Sequence, residues 1–229
     1  MKKRSIIAVD GLAGSGKTTL SKLLAERIGF VHLNTGLVYR AVAFLALKNK
    51  CDVDSEKDLV QMLSHHKIEL RTDATGACIV FIDGRDVSPE VRTPEVSEAT
   101  SKSSRHAAVR EAVLALQRDA FPGKSLVAEG RDMGTVVFPE AELKFFIEAN
   151  PNIRVERRLQ QLGLKGAPSA EHKKQMLIEI TERDARDASR AVAPTKAASD
   201  SIHIDNSSKS LDTALDELFR HAKSRGLVS

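Results

Sequence analysis

The segment GLAGSGKT, Gly11 to Thr18, constrains this chain more than any other. It matches the pattern G-x-x-x-x-G-K-[ST] without a gap, follows the apolar run RSIIAVD and precedes a helix predicted from Lys17 to Ile28. In that context, glycines let backbone N–H groups converge on phosphate oxygens, and the helix N-terminus adds positive potential. The segment therefore predicts a nucleoside triphosphate site at the end of a buried strand.

Two side chains of this phosphate-binding loop (Gly11–Thr18) have roles that follow from the same chemistry. Lys17 is expected to reach the β and γ phosphates of the triphosphate. Thr18 is expected to ligate Mg²⁺ through its hydroxyl, which makes Mg²⁺ the one cofactor that the sequence predicts.

Strand and helix patterns alternate along the chain, which predicts an α/β protein with a parallel sheet covered on both faces. Five apolar runs predict its strands: RSIIAVD, FVHL, SLVAE, ELKFFIEA and SIHID. Shorter β-like pieces separated by turn residues predict a small β insert between about His66 and Arg92. Helical sequence is expected to resume from about Pro94 to Ala120.

Composition argues against several other classes of protein. The formal net charge is +4, but aromatic residues make up only 4% and no basic run is interleaved with aromatics that could stack bases, so nucleic acid is not expected as a partner. No segment approaches the roughly 20 apolar residues of a membrane span. Cys51 and Cys78 form no C-x-x-C pair, which is typical of reduced thiols in a cytosolic protein.

Two short motifs raise the alternative of a regulatory GTPase. NKCD (Asn49–Asp52) matches N-K-x-D, and DATG (Asp73–Gly76) matches D-x-x-G. In a GTPase, the guanine-reading N-K-x-D follows D-x-x-G and comes at the end of a strand. Here it comes first and ends a predicted helix, so we interpret NKCD as a helix C-terminus and DATG as a turn.

Polar residues follow two of the predicted strands. Thr35 and Arg40 come after the second strand, and Glu129, Arg131 and Asp132 come after the third. Ligands of open α/β sheets bind beyond the carboxyl ends of the strands. A single Arg–Asp pair is equally consistent with a surface salt bridge. Two such loops beside the phosphate-binding loop favour a ligand site.

The segment ITERDARDASRAVAP, residues 180–194, is rich in charge. On a helical wheel, Arg183, Asp187 and Arg190 all fall within about 80° of Ile180. These charges therefore continue the apolar stripe of the helix, where a helix leaves the core and enters a cleft. Ion pairs between residues i and i+4 on an exposed helix are the alternative.

Five segments in order closely resemble bacterial cytidylate (CMP) kinases of the nucleoside monophosphate kinase family: GLAGSGKTT, NTGLVYR, VREAVLALQR, GRDMGTVVFP and ERDARDASRAVAP. The resemblance covers nearly the whole chain. It implies a P-loop NTPase fold with a five-stranded parallel sheet flanked by helices, a β insert in the monophosphate-binding region and a short lid. It also implies phosphoryl transfer from ATP to CMP or dCMP in a cytoplasmic monomer.

The resemblance assigns one P-loop kinase unit with a core (1–37, 120–155 and 190–229), a monophosphate-binding region (about 38–119) and a lid (about 156–189). It implies that ATP binds at Gly11, Leu12, Ala13, Gly14, Ser15, Gly16, Lys17, Thr18, Thr19, Arg157 and Arg158. It implies that CMP binds at Thr35, Arg40, Ser101, Arg110, Arg131, Asp132, Arg183 and Asp187. The catalytic residues that it implies are Lys17, Arg131, Arg183 and Arg190.

Three residues depart from the pattern of this family. Leu12 replaces the usual Pro and Thr18 the common Gly or Ser, and both leave the phosphate-binding pattern satisfied. Asn34 replaces the usual Asp and removes a carboxylate near the monophosphate. Two other classes stay open at this point: a P-loop kinase for UMP, AMP or a non-nucleotide acceptor, and a P-loop regulator or nucleic-acid-stimulated ATPase.

Overall fold

The computed structural model describes residues 4–162 and 168–228, and within them the chain forms two sheets and eight α-helices. The strands are β1 (Ile6–Gly11), β2 (Val31–Asn34), β3 (Ile68–Thr72), β4 (Cys78–Ile82), β5 (Arg85–Asp86), β6 (Leu126–Gly130), β7 (Leu143–Glu148) and β8 (Ile202–Asp205). The helices are α1 (Lys17–Ile28), α2 (Gly36–Lys48), α3 (Glu56–Leu63), α4 (Pro94–Ser103), α5 (Ala107–Arg118), α6 (Pro151–Gln161), α7 (Ala170–Ala188) and α8 (Leu211–Ser224).

The central sheet has five strands in the order β2-β6-β1-β7-β8, and all four pairings are parallel. Its middle strand, β1, is buried on both faces, as expected for an uninterrupted apolar run between two layers of helices. Val9 lies in the core shared with α1 and α8, and Ala8 lies in the core on the opposite face. The predicted α/β fold with a five-stranded parallel sheet is confirmed.

The parallel arrangement brings the ends of β1, β2 and β6 to one edge of the sheet. Val9 pairs with Glu129 in β6, and Glu129 in turn pairs with Asn34 in β2. The loops that follow these three strands therefore open side by side. They are the phosphate-binding loop and the two loops whose polar residues the sequence pointed to as ligand candidates.

A second, antiparallel sheet of three strands, in the order β3-β4-β5, forms the insert. Its inner face packs on α2, where Val80 joins Val42 and Leu59 in one apolar core. The segment Asp73–Gly76 forms the turn between β3 and β4, and Asn49 follows the last residue of α2. Both former GTPase motifs are therefore ordinary chain-reversal and helix-end sequences.

The helical sequence predicted from about Pro94 to Ala120 forms two helices, because the chain leaves the helical conformation between α4 and α5. His106 adopts an extended conformation with φ −73° and ψ 127°, and its Nε2 lies 3.1 Å from the carbonyl oxygen of Val53. The break leaves the carbonyl of Ser104 free to accept a hydrogen bond from Arg110 at 3.0 Å. No glycine or proline marks this break in the sequence.

Among the described residues, no helix is both long and apolar enough to cross a membrane. The predicted lid, about 156–189, includes residues 163–167, which lie outside the described residues. Its remaining parts are the end of α6 and most of α7, which pack together through Val155, Leu159 and Ile180.

Candidate active site

The phosphate-binding loop joins β1 to α1 in a conformation that requires glycine at defined positions. A Cβ atom on Gly11 would lie 2.2 Å from the carbonyl oxygen of Ile147 in β7, so only glycine allows these backbones to approach. Gly14 has φ +74°, and a Cβ there would lie 3.1 Å from the carbonyl oxygen of Arg154. The loop is therefore packed directly between β7 and α6.

Side chains from distant parts of the chain hold the carbonyl groups of the loop from outside. Asn206 donates from Nδ2 to the Ser15 carbonyl at 2.8 Å, and Arg157 donates to the same oxygen at 3.1 Å. Arg154 donates to the Ala13 carbonyl at 3.1 Å. With its carbonyls bound from outside, the loop is free to present N–H groups to the inside.

Lys17 lies in a buried, electropositive environment. Its Nζ donates to the Leu12 carbonyl at 3.1 Å. Burial, followed by the charge of Arg131, lowers the pKa of Lys17 to about 7. An anionic ligand here would favour its charged form.

Asp10, the penultimate residue of β1, positions the segment that follows β6. Its two carboxylate oxygens accept hydrogen bonds from the backbone N–H groups of Met133 and Gly134, each at 2.8 Å. These bonds begin a π-helical turn over Met133–Val137 and fix the direction in which Arg131 and Asp132 leave the strand. Burial raises the pKa of Asp10 to about 6.

The first cavity, of about 490 Å³, lies between the end of the central sheet, α4, α5 and α7. It brings together all eight residues that were predicted for the monophosphate: Thr35, Arg40, Ser101, Arg110, Arg131, Asp132, Arg183 and Asp187. All four predicted catalytic residues also line it: Lys17, Arg131, Arg183 and Arg190.

A buried ion pair forms one end of the first cavity. Arg110 donates to Asp132 at 2.5 Å, and only 7% and 3% of these side chains is exposed. The guanidinium carbon of Arg110 lies 4.9 Å from the centre of the Tyr39 ring, and Gln117 donates to the Tyr39 hydroxyl at 3.2 Å. The hydroxyl of Ser101 is buried nearby and has no hydrogen-bond partner within the described ranges.

The side of the first cavity nearest β2 is formed by Thr35 and Arg40. Thr35 donates its hydroxyl to the carbonyl of Glu129 at 2.7 Å. Arg40 donates to the Val91 carbonyl at 2.8 Å and to the Ser97 hydroxyl at 3.0 Å. Burial, then the charge of neighbouring arginines, lowers the pKa of Arg40 to about 10. Both of these hydrogen-bond partners of Arg40 are uncharged groups.

The second cavity, of about 560 Å³, opens between the phosphate-binding loop, α6 and α7. Ala13, Gly14 and Gly16 line it. Eight residues line both cavities and so form the boundary between them: Lys17, Thr18, Thr19, Arg40, Arg131, Arg158, Gln161 and Arg183. Gly11, Leu12, Ser15 and Arg157, all predicted for ATP, line neither cavity and instead support the loop or belong to its backbone.

Asp187 binds the arginines of this boundary. Its carboxylate lies 3.3 Å from Nε of Arg131 and 3.9 Å from Nε of Arg183, and it also pairs with Arg190. Burial acts to raise the pKa of Asp187, but the three arginines together hold it below its usual value. Only 2% of its side chain is exposed, so these are not the surface ion pairs of a solvated helix.

Two other charged residues of α7 have different environments. Asp184 accepts a hydrogen bond from Arg154 at 2.5 Å. Arg186 pairs with Glu98 of α4 at 2.9 Å on a half-exposed surface. Sequence reasoning gave Asp184 no role, because its partner lies 30 residues away and no local pattern marks the pair.

Another buried acid, Glu129, lies beside Lys17 and Thr18. His32 Nε2 is 3.4 Å from Oε1 of Glu129, and both side chains are buried. Burial acts to raise the pKa of Glu129, but His32, Lys17 and Thr18 together hold it below its usual value. Neither carboxylate oxygen of Glu129 has a regular hydrogen bond to a residue that the structure describes.

Comparison with known proteins gives one consistent family. The family model for cytidylate kinase matches residues 7–224. A cytidylate kinase of Pelotomaculum thermopropionicum is 45% identical over 202 residues, 88% of each chain. That of Solibacter usitatus is 40% identical over 224 residues (98% of this chain, 94% of the relative), and that of Mannheimia succiniciproducens 43% over 215 residues (94% of each). With a match of this extent on a chain that has this loop and these two cavities, the protein belongs to the cytidylate kinase family.

Proposed function

We propose that this protein transfers the γ-phosphoryl group of ATP to CMP or dCMP, with Mg²⁺, and forms CDP or dCDP. The observation that carries this proposal is the boundary between the two cavities. On one side is the phosphate-binding loop, and on the other is a pocket with a buried arginine–carboxylate pair. Between them lie five cations: Lys17, Arg40, Arg131, Arg158 and Arg183.

ATP occupies the second cavity, with its phosphates on the inward N–H groups of the loop and on Lys17. Arg158 lines both cavities, and we assign it a contact with the phosphates. Arg157 acts differently, because it holds the Ser15 carbonyl and supports the loop from outside. We therefore assign ATP binding to the loop and to Arg158, and a supporting role to Arg157.

CMP occupies the first cavity, with its phosphate toward Arg40, Arg131 and Arg183. Its base lies at the opposite end, beside Ser101, Arg110 and Asp132. The exocyclic amine of cytosine is a hydrogen-bond donor, and the Asp132 carboxylate is an acceptor that Arg110 holds in place. The hydroxyl of Ser101 has no hydrogen-bond partner among the described residues, so it is available to bind the base.

The residues present fit a magnesium ion at the boundary. Mg²⁺ takes oxygen ligands and keeps several waters, so it needs only one or two groups from the protein beside the phosphates. The hydroxyl of Thr18 is one such group. The carboxylate of Glu129, buried and without a regular hydrogen bond in the described structure, is the second. When bound, the ion neutralises charge on the β and γ phosphates.

Transfer itself requires positioning and charge neutralisation more than covalent chemistry. An oxygen of the CMP phosphate attacks the γ-phosphorus, the bond to the β–γ bridging oxygen breaks in line, and ADP leaves. A general base is not needed, because a phosphate monoester with a second pKa of about 6 is already largely ionised at neutral pH. Lys17, Arg131, Arg183 and Arg190 balance the charge that develops.

A coupled assay of ADP release tests the proposal directly. We expect CMP and dCMP to stimulate ADP release strongly, and UMP and AMP to do so weakly. The proposal fails if CMP gives no more ADP than water alone. Stimulation by UMP, AMP or RNA in place of CMP would support the alternative classes of P-loop kinase or ATPase.

We further propose that the protein works as a cytoplasmic monomer without a nucleic-acid or membrane partner. Residues of one chain supply the predicted contacts to both nucleotides, and Cys51 and Cys78 are free thiols. Light scattering after size-exclusion chromatography is expected to give one species near the chain mass of 25.0 kDa. A stable dimer would contradict this part of the proposal.

A further inference from the structure

Asp184 lies beside the site without lining either cavity. It directly follows Arg183 in α7, and it precedes Asp187 by three residues. Successive residues of a helix differ by about 100° in direction, so one turn of α7 presents two sides. Arg183 and Asp187 face the cavities, and Asp184 faces α6.

Arg154 connects Asp184 to the phosphate-binding loop. One nitrogen of its guanidinium donates both to Asp184, at 2.5 Å, and to the Ala13 carbonyl, at 3.1 Å. Only 4% of Arg154 is exposed, so this contact is shielded from water. The backbone of α6 at Arg154 also packs against Gly14 of the same loop.

The loop, α6 and α7 therefore meet at a single buried ion pair. Removing one partner of such a pair leaves a charge buried without compensation, which a folded protein avoids by moving the surrounding elements. Rotation of α7 about its axis would move Arg183 and Asp187 away from the boundary between the cavities. A displacement of about 1 Å at a reacting centre can cost about 100-fold in rate.

We propose that Asp184 is a positioning residue: through Arg154 it ties α7 to the phosphate-binding loop and so directs Arg183 and Asp187 at the transferring phosphoryl group. This inference rests on the proposed function for its effect on rate. The link between the loop and α7 is a property of the protein without ligand and is tested separately.

The kinetic test uses Asp184→Asn, which keeps the shape of the side chain and removes its charge. We expect kcat to fall by at least about tenfold and KM for CMP to rise by a clearly smaller factor, because Arg40, Arg110 and Asp132 contact CMP from elements other than α7. Glu156→Gln is the matched control. Glu156 pairs with Lys173 across the same two helices, at 4.0 Å and with both side chains about half exposed. The Glu156→Gln substitution should leave kcat and KM for CMP unchanged.

A second variant separates positioning from stability. Arg154→Met combined with Asp184→Leu removes both charges, and such apolar replacement of a buried pair is often neutral or stabilising. We expect the melting temperature to recover toward that of the parent while kcat stays at least about tenfold lower. Recovery of kcat in this paired variant would overturn the proposal, as would an Asp184→Asn protein with the parent kcat.

Hydrogen–deuterium exchange tests the link without any reaction. In the ligand-free protein, Asp184→Asn should speed amide exchange in the loop (11–18) and in α7 (176–188) together, whereas Glu156→Gln should change neither segment. Unchanged exchange in the loop would overturn the link. If the parent protein shows no CMP-dependent ADP release, the proposed function fails, and this exchange measurement still decides whether Asp184 ties the two elements.

Discussion

The hydroxyl groups of Ser101 and Ser103 have similar surroundings in the protein but differ in their access to the first cavity. Both lie on α4, both are almost fully buried, and neither has a hydrogen-bond partner among the described residues. Ser101 lines the first cavity, and Ser103 lines neither cavity. A buried hydroxyl without a partner is costly, so a ligand that bonds it gains affinity.

We therefore expect Ser101→Ala to raise KM for CMP about five- to tenfold, which corresponds to one lost hydrogen bond of about 1 kcal/mol. Its melting temperature should be unchanged or slightly higher, since no bond of the described fold is lost. Steady-state kinetics and thermal melts of Ser101→Ala and Ser103→Ala provide the measurement. An equal effect of both substitutions on KM would show that the hydroxyl of Ser101 does not contact CMP.

The roles of single residues also differ in how far the sequence could predict them. The phosphate-binding loop is contiguous, so its eight residues carry their own structural context. Arg154 and Asn206 support that loop from two distant parts of the chain, and Asp10 holds the segment after β6. Each is an ordinary polar residue in its own neighbourhood. Their roles depend on partners that only the folded chain brings together.

The end of α7 shows where a helical pattern in the sequence stops predicting the structure. The helical wheel extends regular geometry to Arg190, but α7 ends at Ala188. Arg190 nevertheless pairs with Asp187, because the chain turns back over the last turn of the helix and Thr195 donates its N–H to the Asp187 carbonyl at 2.8 Å. Periodicity placed the charges on the correct face, and the irregular segment beyond the helix completes the cluster.

This geometry predicts that Arg190→Ala separates catalysis from stability. Asp187 keeps Arg131 and Arg183 as partners, so the melting temperature should fall by no more than about 2–4 °C, about 1 kcal/mol. We expect kcat to fall by about 100-fold or more, because one donor to the transferring group is lost. Arg220→Ala, on the exposed side of α8, is the control. A large loss of stability with kcat retained would assign Arg190 a structural role instead.

The break between α4 and α5 could not be predicted from the local sequence. The segment KSSRHAAVR has no glycine or proline, and its residues are compatible with a continuous helix. The break is stabilised by a tertiary contact of His106 with Val53 and by a hydrogen bond within the segment, from Arg110 to the Ser104 carbonyl. Such contacts override weak local propensities.

At the scale of the whole molecule, alternation of strands and helices was sufficient to predict the central sheet. A parallel sheet covered on both faces needs long apolar strands and crossover helices, and both leave clear patterns in the sequence. The same parallel topology explains why three loops far apart in the chain meet at one edge. The sequence could not predict that two cavities share one wall, because this wall depends on how the insert, α6 and α7 pack over the edge of the sheet.

The shared wall predicts that one molecule can occupy both cavities. Adenosine and cytidine joined through a pentaphosphate should bind far more tightly than ATP or CMP, because the second contact becomes intramolecular. At a concentration of about 1,000 times Kd, we expect a rise in melting temperature of roughly 10 °C. Thermal melts with the pentaphosphate, ATP and CMP give the measurement. Stabilisation no greater than that by ATP alone would mean that the cavities are not used together.

The crowding of arginines around Asp187 has a consequence for handling the purified enzyme. Burial and mutual repulsion lower the pKa of Arg183 to about 10. Eight cationic side chains line the first cavity, against three carboxylates. Any small multivalent anion relieves that repulsion, and sulfate or phosphate in a buffer is such an anion. The choice of buffer therefore sets the apparent stability of the enzyme and its apparent affinity for nucleotides, before any substrate is added.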